Sequence, residues 1–390
     1  MKLQVRMLML LSCLILMFCL CPRSTACAEA KLPFQVGEQL ITAETEEIDL
    51  SKATEEELSA FLDALPKLKA LKVIDLGKDA AEDPRVSWET IEEMEKSIPG
   101  IEIRLQFTVH KYRFDLQGDI LNLNHIKFED GGALAVRIAK CMPNLKILDM
   151  DSCGVSDEDM AAIRDQFPDV HVVWRVFFGR AYSARTDVDR LMISNPAKSG
   201  YNDINDAALK GLYYCTRVKY LDLGHLDRIT DVGYVANMPD LEVLIIAMTA
   251  IKNIDALASC THLNYLEFQT SAACDLSPLK DLKELRDLNI CYNFALRSIR
   301  PIMDLDLDRL YIGCLTPISA DQIAEYKEKH PNCIVNTTTL DPTEEEWRRL
   351  RKGGAAPRYE QLRKELQYGT NPMCYAYNEC DRRYPYRFEY

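Results

Sequence analysis

Apolar residues in the second half of the chain recur in the pattern apolar-x-x-apolar-x-apolar, which occurs five times. The copies begin at Val218, Leu241, Leu263, Leu285 and Leu307, at intervals of 23, 22, 22 and 22 residues. Each copy predicts one short strand that cannot bury its apolar side alone. Neighbouring copies must therefore stack, which predicts a solenoid of parallel strands with an extended concave surface.

The segments between the predicted strands differ between the two halves of the chain. In the second half, apolar residues recur every third position, as at Ile251, Ile254 and Leu257, which favours tight 3₁₀ turns. In the first half, longer helix-like stretches alternate with the strands, and Thr54 and Ser156 are expected to cap two of these helices. The predicted fold is an α/β leucine-rich-repeat solenoid, with a parallel strand ribbon on the concave face. Helices are expected on the convex face of the first half, and 3₁₀ turns on that of the second.

These patterns divide the chain into five segments. They are a signal peptide (1–30), irregular longer leucine-rich repeats (31–180), a connection of weak periodicity (181–210), regular repeats of 22–23 residues (211–335) and a C-terminal cap or tail (336–390).

The start of the chain predicts export from the cell. Lys2 and Arg6 precede an apolar run at Met7–Cys21, and A-x-A cleavage cues follow around Ala28. A retained anchor and lipidation at Cys27 are the alternatives. No other stretch of the sequence is long and apolar enough to span a membrane, so we expect a secreted or cell-surface protein.

Charge and cysteine use narrow the functional classes. The formal net charge of −13 argues against nucleic acid as a partner, because phosphate neutralisation needs a basic surface. Cys215 and Cys260 occupy apolar repeat positions and are expected to act as small hydrophobic residues. Cys374 and Cys380 are the disulfide candidate. Histidines and cysteines show no metal-ligand spacing, so we expect neither a metal nor a cofactor.

Residues that alternate with the inward leucines are expected to face the concave side of the ribbon. The candidate ligand-binding residues are Tyr220, Asp222, Val243, Ile245, Tyr265, Glu267, Gln269, Asp287, Asn289, Arg309 and Tyr311. The stretch Leu241–Ile246 is apolar on both faces, so Val243 and Ile245 are expected to expose an aliphatic patch. Exposed apolar patches usually mark interaction sites. The alternative is that a loop or the C-terminal tail covers this patch.

The C-terminal region differs in composition from the repeats. It contains an amphipathic basic stretch with Trp347, Arg348, Tyr359, Leu362 and Leu366, followed by a tyrosine-rich end. A cap over the exposed edge of the last repeat is the preferred interpretation, because solenoids require one. Docking of this tail on a cell-wall polymer is the alternative.

Two stretches resemble known bacterial proteins. Ser277–Leu288 is similar to the short repeats of internalin-type surface proteins of Gram-positive bacteria, and Phe167–Val176 with Arg185–Val188 is similar to secreted bacterial leucine-rich-repeat proteins. The longer units of the first half look like those of ribonuclease inhibitor. The resemblance covers about residues 45–370, and it implies a surface or secreted solenoid without catalytic residues.

The chain departs from this family at one turn position, which usually carries Asn or Cys. The residues there are Cys153, Leu226, Thr249, Ser271, Asn293 and Leu315. Only Cys153 and Asn293 match, and hydroxyl groups can partly substitute for them. The turns of the repeats that begin at Val218 and Leu307 are therefore expected to deviate.

The preferred function is a non-catalytic secreted or cell-surface binding module that recognises a protein or a cell-wall glycan through its concave face. A structural envelope or spacer protein is the first alternative. A hydrolase that uses Asp222, Glu267 and Asp287 is less favoured, because these carboxylates have no paired nucleophile or metal cluster. The sequence also lacks phosphate-loop and zinc-protease motifs.

Overall fold

The structure is a computed structural model, and it describes residues 32–179, 182–193, 204–313, 315–338, 346–350 and 352–366. The described residues fall into two compact units. One holds residues 32–118 and 140–143, and the other holds residues 119–139 and 144 onward. In both units short strands alternate with helices or 3₁₀ turns, which confirms the α/β leucine-rich-repeat class.

The first unit contains a small hairpin and a mixed sheet. Its elements are β1 (Phe34–Val36), β2 (Gln39–Ile41), β3 (Glu47–Asp49), α1 (Glu55–Ala64), a 3₁₀ turn (Leu65–Lys67), β4 (Val73–Ala80), α2 (Trp88–Ser97), β5 (Glu102–Val109) and β6 (Tyr112–Asp115). Strands β3, β4 and β5 are parallel, and β6 returns antiparallel to β5. Thr54 caps α1 as predicted: its hydroxyl accepts from the Glu57 amide at 3.2 Å, and Glu57 accepts from the Thr54 amide at 2.8 Å.

The second unit begins with longer repeats. Its first elements are β7 (Ile120–Asn122), α3 (Ala133–Lys140), β8 (Ile147–Asp149), α4 (Asp157–Gln166), β9 (His171–Val173), β10 (Arg175–Phe178) and β11 (Tyr182–Arg185). Strands β7, β8 and β9 are parallel, whereas β10 and β11 form an antiparallel hairpin. Ser156 caps α4 as predicted, because its hydroxyl accepts from the Asp159 amide at 3.1 Å.

A parallel sheet, called the ribbon below, dominates the rest of this unit. In the described part of the chain it has seven strands: β12 (Arg190–Met192), β13 (Tyr220–Asp222), β14 (Val243–Ile245), β15 (Tyr265–Glu267), β16 (Asp287–Asn289), β17 (Arg309–Tyr311) and β18 (Ile334–Asn336). The connections contain 3₁₀ turns at Lys210–Tyr214, Gly233–Asn237, Asp255–Ser259, Ser277–Leu279 and Arg300–Ile302, and then α5 (Ala320–Lys329). Helix α6 (Pro357–Glu365) follows the ribbon.

The register of the ribbon is the one predicted from the repeat pattern. Leu221, Leu244, Leu266, Leu288 and Leu310 pair in one continuous row across neighbouring strands. All five side chains are fully buried. The inward leucines therefore form a shared dry interior, and the residues on either side of them point to the opposite face of the ribbon.

Residues 181–210, predicted to be a connection, contain regular structure. The described residues of this segment include β11 and β12, and Leu191 of β12 pairs with Leu221 of β13. The ribbon thus begins one strand earlier than the repeat pattern indicates. The repeat pattern does not predict the strand Arg190–Met192, because residues 181–210 lack the regular spacing of the later repeats.

At the turn position that usually carries Asn or Cys, side chains bond the backbone in more repeats than the sequence indicated. Asn293 Nδ2 donates to Phe268 O at 3.3 Å, and Thr249 Oγ1 donates to Ile246 O at 2.8 Å. In the next repeat Thr316, rather than Leu315, takes this position, with its hydroxyl 2.9 Å from Ile290 O. Leu315 has a positive φ of 62° and is exposed, so the assignment of Leu315 to this turn position is wrong by one residue.

The predicted signal peptide (1–30), with Cys27, and the disulfide candidates Cys374 and Cys380 lie outside the described residues. These assignments remain predictions. Within the described ranges, none of the helices combines the length and apolar character that a membrane crossing requires.

Candidate binding face

Ten of the eleven predicted concave residues, all but Gln269, form two continuous rows across β13 to β17. One row is Tyr220, Val243, Tyr265, Asp287 and Arg309, and the other is Asp222, Ile245, Glu267, Asn289 and Tyr311. The strand pairing thus places these residues side by side in the predicted order, and their role in ligand binding stays a prediction. The sequence left open whether they are exposed or are covered by a loop or the C-terminal tail.

The aliphatic patch expected at Val243 and Ile245 is not exposed. Val243 is 0% exposed, Ile245 1% and Tyr265 0%. They belong to an apolar cluster with Trp347, Leu362 and Leu366. The prediction that this patch faces solvent is wrong, and the alternative in which the C-terminal tail covers it agrees with the structure. Residues 346–350 and 352–366 are called the docked segment below.

The docked segment has its own local structure. The chain turns at Gly353 and Gly354, whose φ values of 88° and 92° favour glycine. This turn brings Arg349 opposite Ala355 in a short antiparallel bridge. Pro357 then occupies the first turn of α6, where its fixed φ suits a helix start. The segment lies on the concave face and not, as predicted from the sequence, at the edge of the last repeat.

Trp347 is the central apolar contact of the docked segment. Its ring centroid lies 4.8 Å from that of Tyr311 and 5.4 Å from that of Tyr265. The Arg309 guanidinium carbon lies 4.3 Å from the centre of the Trp347 ring, in cation–π geometry. Trp347 is fully buried, so two tyrosines and an arginine of the ribbon form a closed box around the indole.

Glu267 accepts several hydrogen bonds beneath the docked segment. Trp347 Nε1 donates to Glu267 Oε1 at 2.6 Å, and Arg348 donates to both carboxylate oxygens, with Nε at 3.1 Å from Oε1. The Tyr265 hydroxyl donates to the same carboxylate. Burial alone raises the pKa of Glu267, but the charge of Arg348 and these hydrogen bonds outweigh it and hold the pKa below its ordinary value of 4.5. Glu267 therefore remains ionised although it is fully buried.

Asp287 joins the ribbon to α6. Arg309 Nε donates to Asp287 Oδ1 at 2.5 Å, and Arg358 Nε donates to Asp287 Oδ2 at 3.2 Å. Arg358 also donates to Asn264 Oδ1 at 3.1 Å and to Glu365 at 2.9 Å. One acidic residue of the face thus pairs with one arginine of the ribbon and one of the docked segment.

The remaining predicted site residues lie around this centre. Tyr220 is half-buried, and its hydroxyl donates to Glu242 at 3.2 Å. Asp222 accepts from the Gly224 amide at 2.8 Å, and Asn289 from the Cys291 amide at 3.2 Å. These two side chains order the ends of their strands. The Gln269 amide nitrogen is 3.4 Å from Glu267 Oε2.

A second group of buried charges stabilises the β10–β11 hairpin. Arg175 forms a two-pronged ion pair with Asp151, at 2.9 Å from Nε to Oδ1 and 2.7 Å from Nη2 to Oδ2. Arg185 pairs in the same manner with Asp149, at 3.1 and 2.9 Å. Planar pairs of this kind combine charge with fixed geometry. They hold the hairpin against β8.

The catalytic alternative required accessible carboxylates. Asp222, Glu267 and Asp287 are instead buried, and the latter two are paired with arginines. Among the described residues there is also no group of three or more His, Cys, Asp or Glu side chains arranged to hold a metal ion. The face therefore consists of buried apolar side chains and paired charges.

The sequence shows an amphipathic basic stretch with Trp347, Arg348, Tyr359, Leu362 and Leu366, and these residues are not among the predicted site residues. Two signals could have connected them with the ribbon. The face has two acids, Glu267 and Asp287, beside an unusual aliphatic pair, and the tail offers arginines beside aromatic and leucine residues. The complementary residues can be read from the sequence, but the two regions are far apart in the chain, so the sequence does not show that they are in contact.

These features define a leucine-rich-repeat protein whose concave face is occupied by its own C-terminal segment. No family model matches the chain, and no curated protein matches it. Among solved structures it is similar to an internalin from Listeria monocytogenes, at 16% identity over 78% of this chain and 86% of that one, with a TM-score of 0.31.

Two further solved structures are similar in the same way. Internalin C2 from Listeria monocytogenes is 21% identical, over 56% of this chain and 80% of that one, with a TM-score of 0.28. A leucine-rich-repeat protein from Leptospira interrogans is 13% identical, over 70% and 91%, with a TM-score of 0.27. At these identities the similarity concerns the fold alone.

Proposed function

We propose that this chain is a non-catalytic binding module, exported from the cell, that recognises a protein partner through the concave face of the ribbon. One observation carries the proposal: the face already binds a polypeptide segment. Residues of β14 to β17 surround Trp347, neutralise Arg348 and Arg358, and cover the apolar side of α6.

The contacts favour a protein over a cell-wall glycan as the partner. A box of two tyrosines around an indole, together with acid–arginine pairs, resembles the centre of a protein interface. Such centres are rich in aromatic residues and arginine. Export rests on the charged and apolar start of the sequence.

A structural role is the second candidate, and the closed state of the face favours it. Val243, Ile245 and Tyr265 are at most 1% exposed, as in a domain core. In that case the docked segment is a permanent part of the fold, and the protein acts as an envelope or spacer component.

Selection of peptide binders separates the two candidates. A random-peptide display library is selected on the mature wild-type chain, and the binders are then tested on Ile245→Asp, with Tyr265→Ala as a second variant. A binding module yields peptides that lose affinity for both variants, while the far-ultraviolet circular dichroism of the variants stays as in wild type. Lys252→Ala is the matched control, because it also lowers the net charge by one, at an exposed position. An absence of binders, or binders that ignore both substitutions, would contradict the proposal.

A further inference from the structure

We propose that the docked segment is a displaceable internal ligand, and that the partner of this face presents the same chemistry. That chemistry is a tryptophan followed directly by an arginine, with a second arginine on a nearby helix. This inference rests on the proposed function and specifies it further, because it names the class of partner and the element that competes with it.

The face is complementary to this chemistry at three points. Tyr265, Tyr311 and Arg309 enclose an indole. Glu267 accepts from both the indole nitrogen and the adjacent guanidinium. Asp287 accepts from a second guanidinium, that of Arg358. The Arg358 guanidinium also lies 5.1 Å from the Tyr265 ring centre, so the same tyrosine contacts both parts of the segment.

Several backbone hydrogen bonds of the docked segment lie within the segment itself. The Ala356 amide donates to Arg348 O at 2.9 Å, the Leu350 amide donates to Gly354 O at 3.0 Å, and α6 forms its internal bonds. The main-chain oxygens that meet the ribbon accept from side chains. Arg309 Nη1 lies 3.2 Å from Trp347 O, and Arg190 Nη1 lies 2.6 Å from Glu365 O.

In the described ranges, no backbone-to-backbone hydrogen bond joins the docked segment to the ribbon. The parallel ladder from β12 to β18 therefore stays intact if the segment leaves. A covering strand paired with the sheet edge would behave differently, because its departure would leave a row of unpaired amides.

The two acidic residues of the face also keep a polar partner or gain water if the docked segment leaves. Asp287 keeps Arg309, which belongs to the ribbon, and Glu267 keeps the Tyr265 hydroxyl. Departure of the docked segment exposes both carboxylates to water, so neither is left as a buried unpaired charge. The open ribbon is therefore a folded state with an acidic, aromatic-lined face.

Hydrogen exchange on the wild-type chain tests whether the segment separates from the ribbon. We expect amides of α6 to exchange at least about tenfold faster than those of β15 and β16, through an opening that leaves the ribbon folded. If the α6 amides exchange only through the opening that exposes β15, the segment is an inseparable part of the core and the proposal fails.

A peptide added in trans tests the partner chemistry. The probe is a labelled synthetic peptide of residues 346–366, and its binding is measured by fluorescence anisotropy. Wild type, Arg358→Ala and the double variant Trp347→Ala with Arg358→Ala are compared as full mature chains. We expect at least tenfold tighter binding to the double variant than to wild type, because its own segment competes poorly.

Controls distinguish this inference from the proposed function. Lys364→Ala removes one positive charge from an exposed position of α6 and should bind the probe as wild type does. A probe with alanine at the positions of Trp347 and Arg348 should not bind. Equal binding of the probe to all variants, or none to a folded Arg358→Ala and a folded double variant, overturns the internal-ligand proposal. Library peptides that bind without a Trp–Arg pair would overturn the partner chemistry and leave the binding function intact.

Discussion

Replacement of Trp347 by alanine is the most informative single perturbation of the docked segment. The indole is fully buried, is packed between two tyrosine rings, and donates to Glu267 at 2.6 Å. A tryptophan side chain buries about 150–250 Å². At about 25 cal/mol per Å² this corresponds to about 4–6 kcal/mol.

The measured loss should be smaller than this limit. Unlike a substitution in a closed core, this variant can relax, because the docked segment can leave the face. Water then hydrates Glu267, and no cavity remains. We therefore expect the free energy of unfolding to fall by about 2–4 kcal/mol, against about 3–5 kcal/mol for a tryptophan in a core that cannot relax. Trp347→Phe should lose less, because it keeps the ring between the tyrosines.

Urea denaturation followed by far-ultraviolet circular dichroism measures this loss without a tryptophan signal. Lys364→Ala is the control and should change the free energy of unfolding by no more than about 0.5 kcal/mol. The reasoning is refuted if Trp347→Ala also stays within about 0.5 kcal/mol of wild type, because a fully enclosed indole cannot be removed without cost.

Three further predictions follow from the fold. Leu266→Asp should unfold the repeats around β15, because it places a charge in the fully buried leucine row and coupling in a solenoid is between neighbours; an unshifted thermal melt would contradict the register. The free energy of unfolding should fall as the pH drops below about 4.5, because the pKa of Glu267 is lower in the folded state than in the unfolded state. The ionised Glu267 stabilises the fold fully above its unfolded pKa, and this stabilisation is lost as the pH falls through its folded pKa. Glu267→Gln should flatten this pH dependence, and an unchanged slope would contradict the assignment. Arg175→Ala should cost about 3–5 kcal/mol in urea denaturation, because it leaves the buried carboxylate of Asp151 without its main partner; a loss below about 1 kcal/mol would show that the pair is solvated.

The repeat pattern was sufficient to predict the ribbon and its register. The spacing of Leu244, Leu266 and Leu288 determines which residues pair, because a slip of one residue would turn every leucine outward. The identity of the concave rows follows from the same constraint. Local signals also worked where the interaction is short in sequence, as at the caps Thr54 and Ser156.

The cover over the concave face could not be predicted in the same way. The contact between Glu267 and Arg348 spans 81 residues, and no period or motif links them. Leu241–Ile246 is apolar on both faces, a property shared by an exposed binding patch and a buried one. Only the position of Trp347 in three dimensions distinguishes the two cases.

A double-mutant cycle between Glu267 and Arg348 tests the central claim most directly, because it reports on one contact between the ribbon and the docked segment. The free energies of unfolding of wild type, Glu267→Gln, Arg348→Gln and the double variant give the coupling energy. If the segment is seated on the concave face, we predict a favourable coupling of about 1–3 kcal/mol. Additive effects, within about 0.3 kcal/mol, would mean that the two side chains do not meet and that the face is not occupied by this segment.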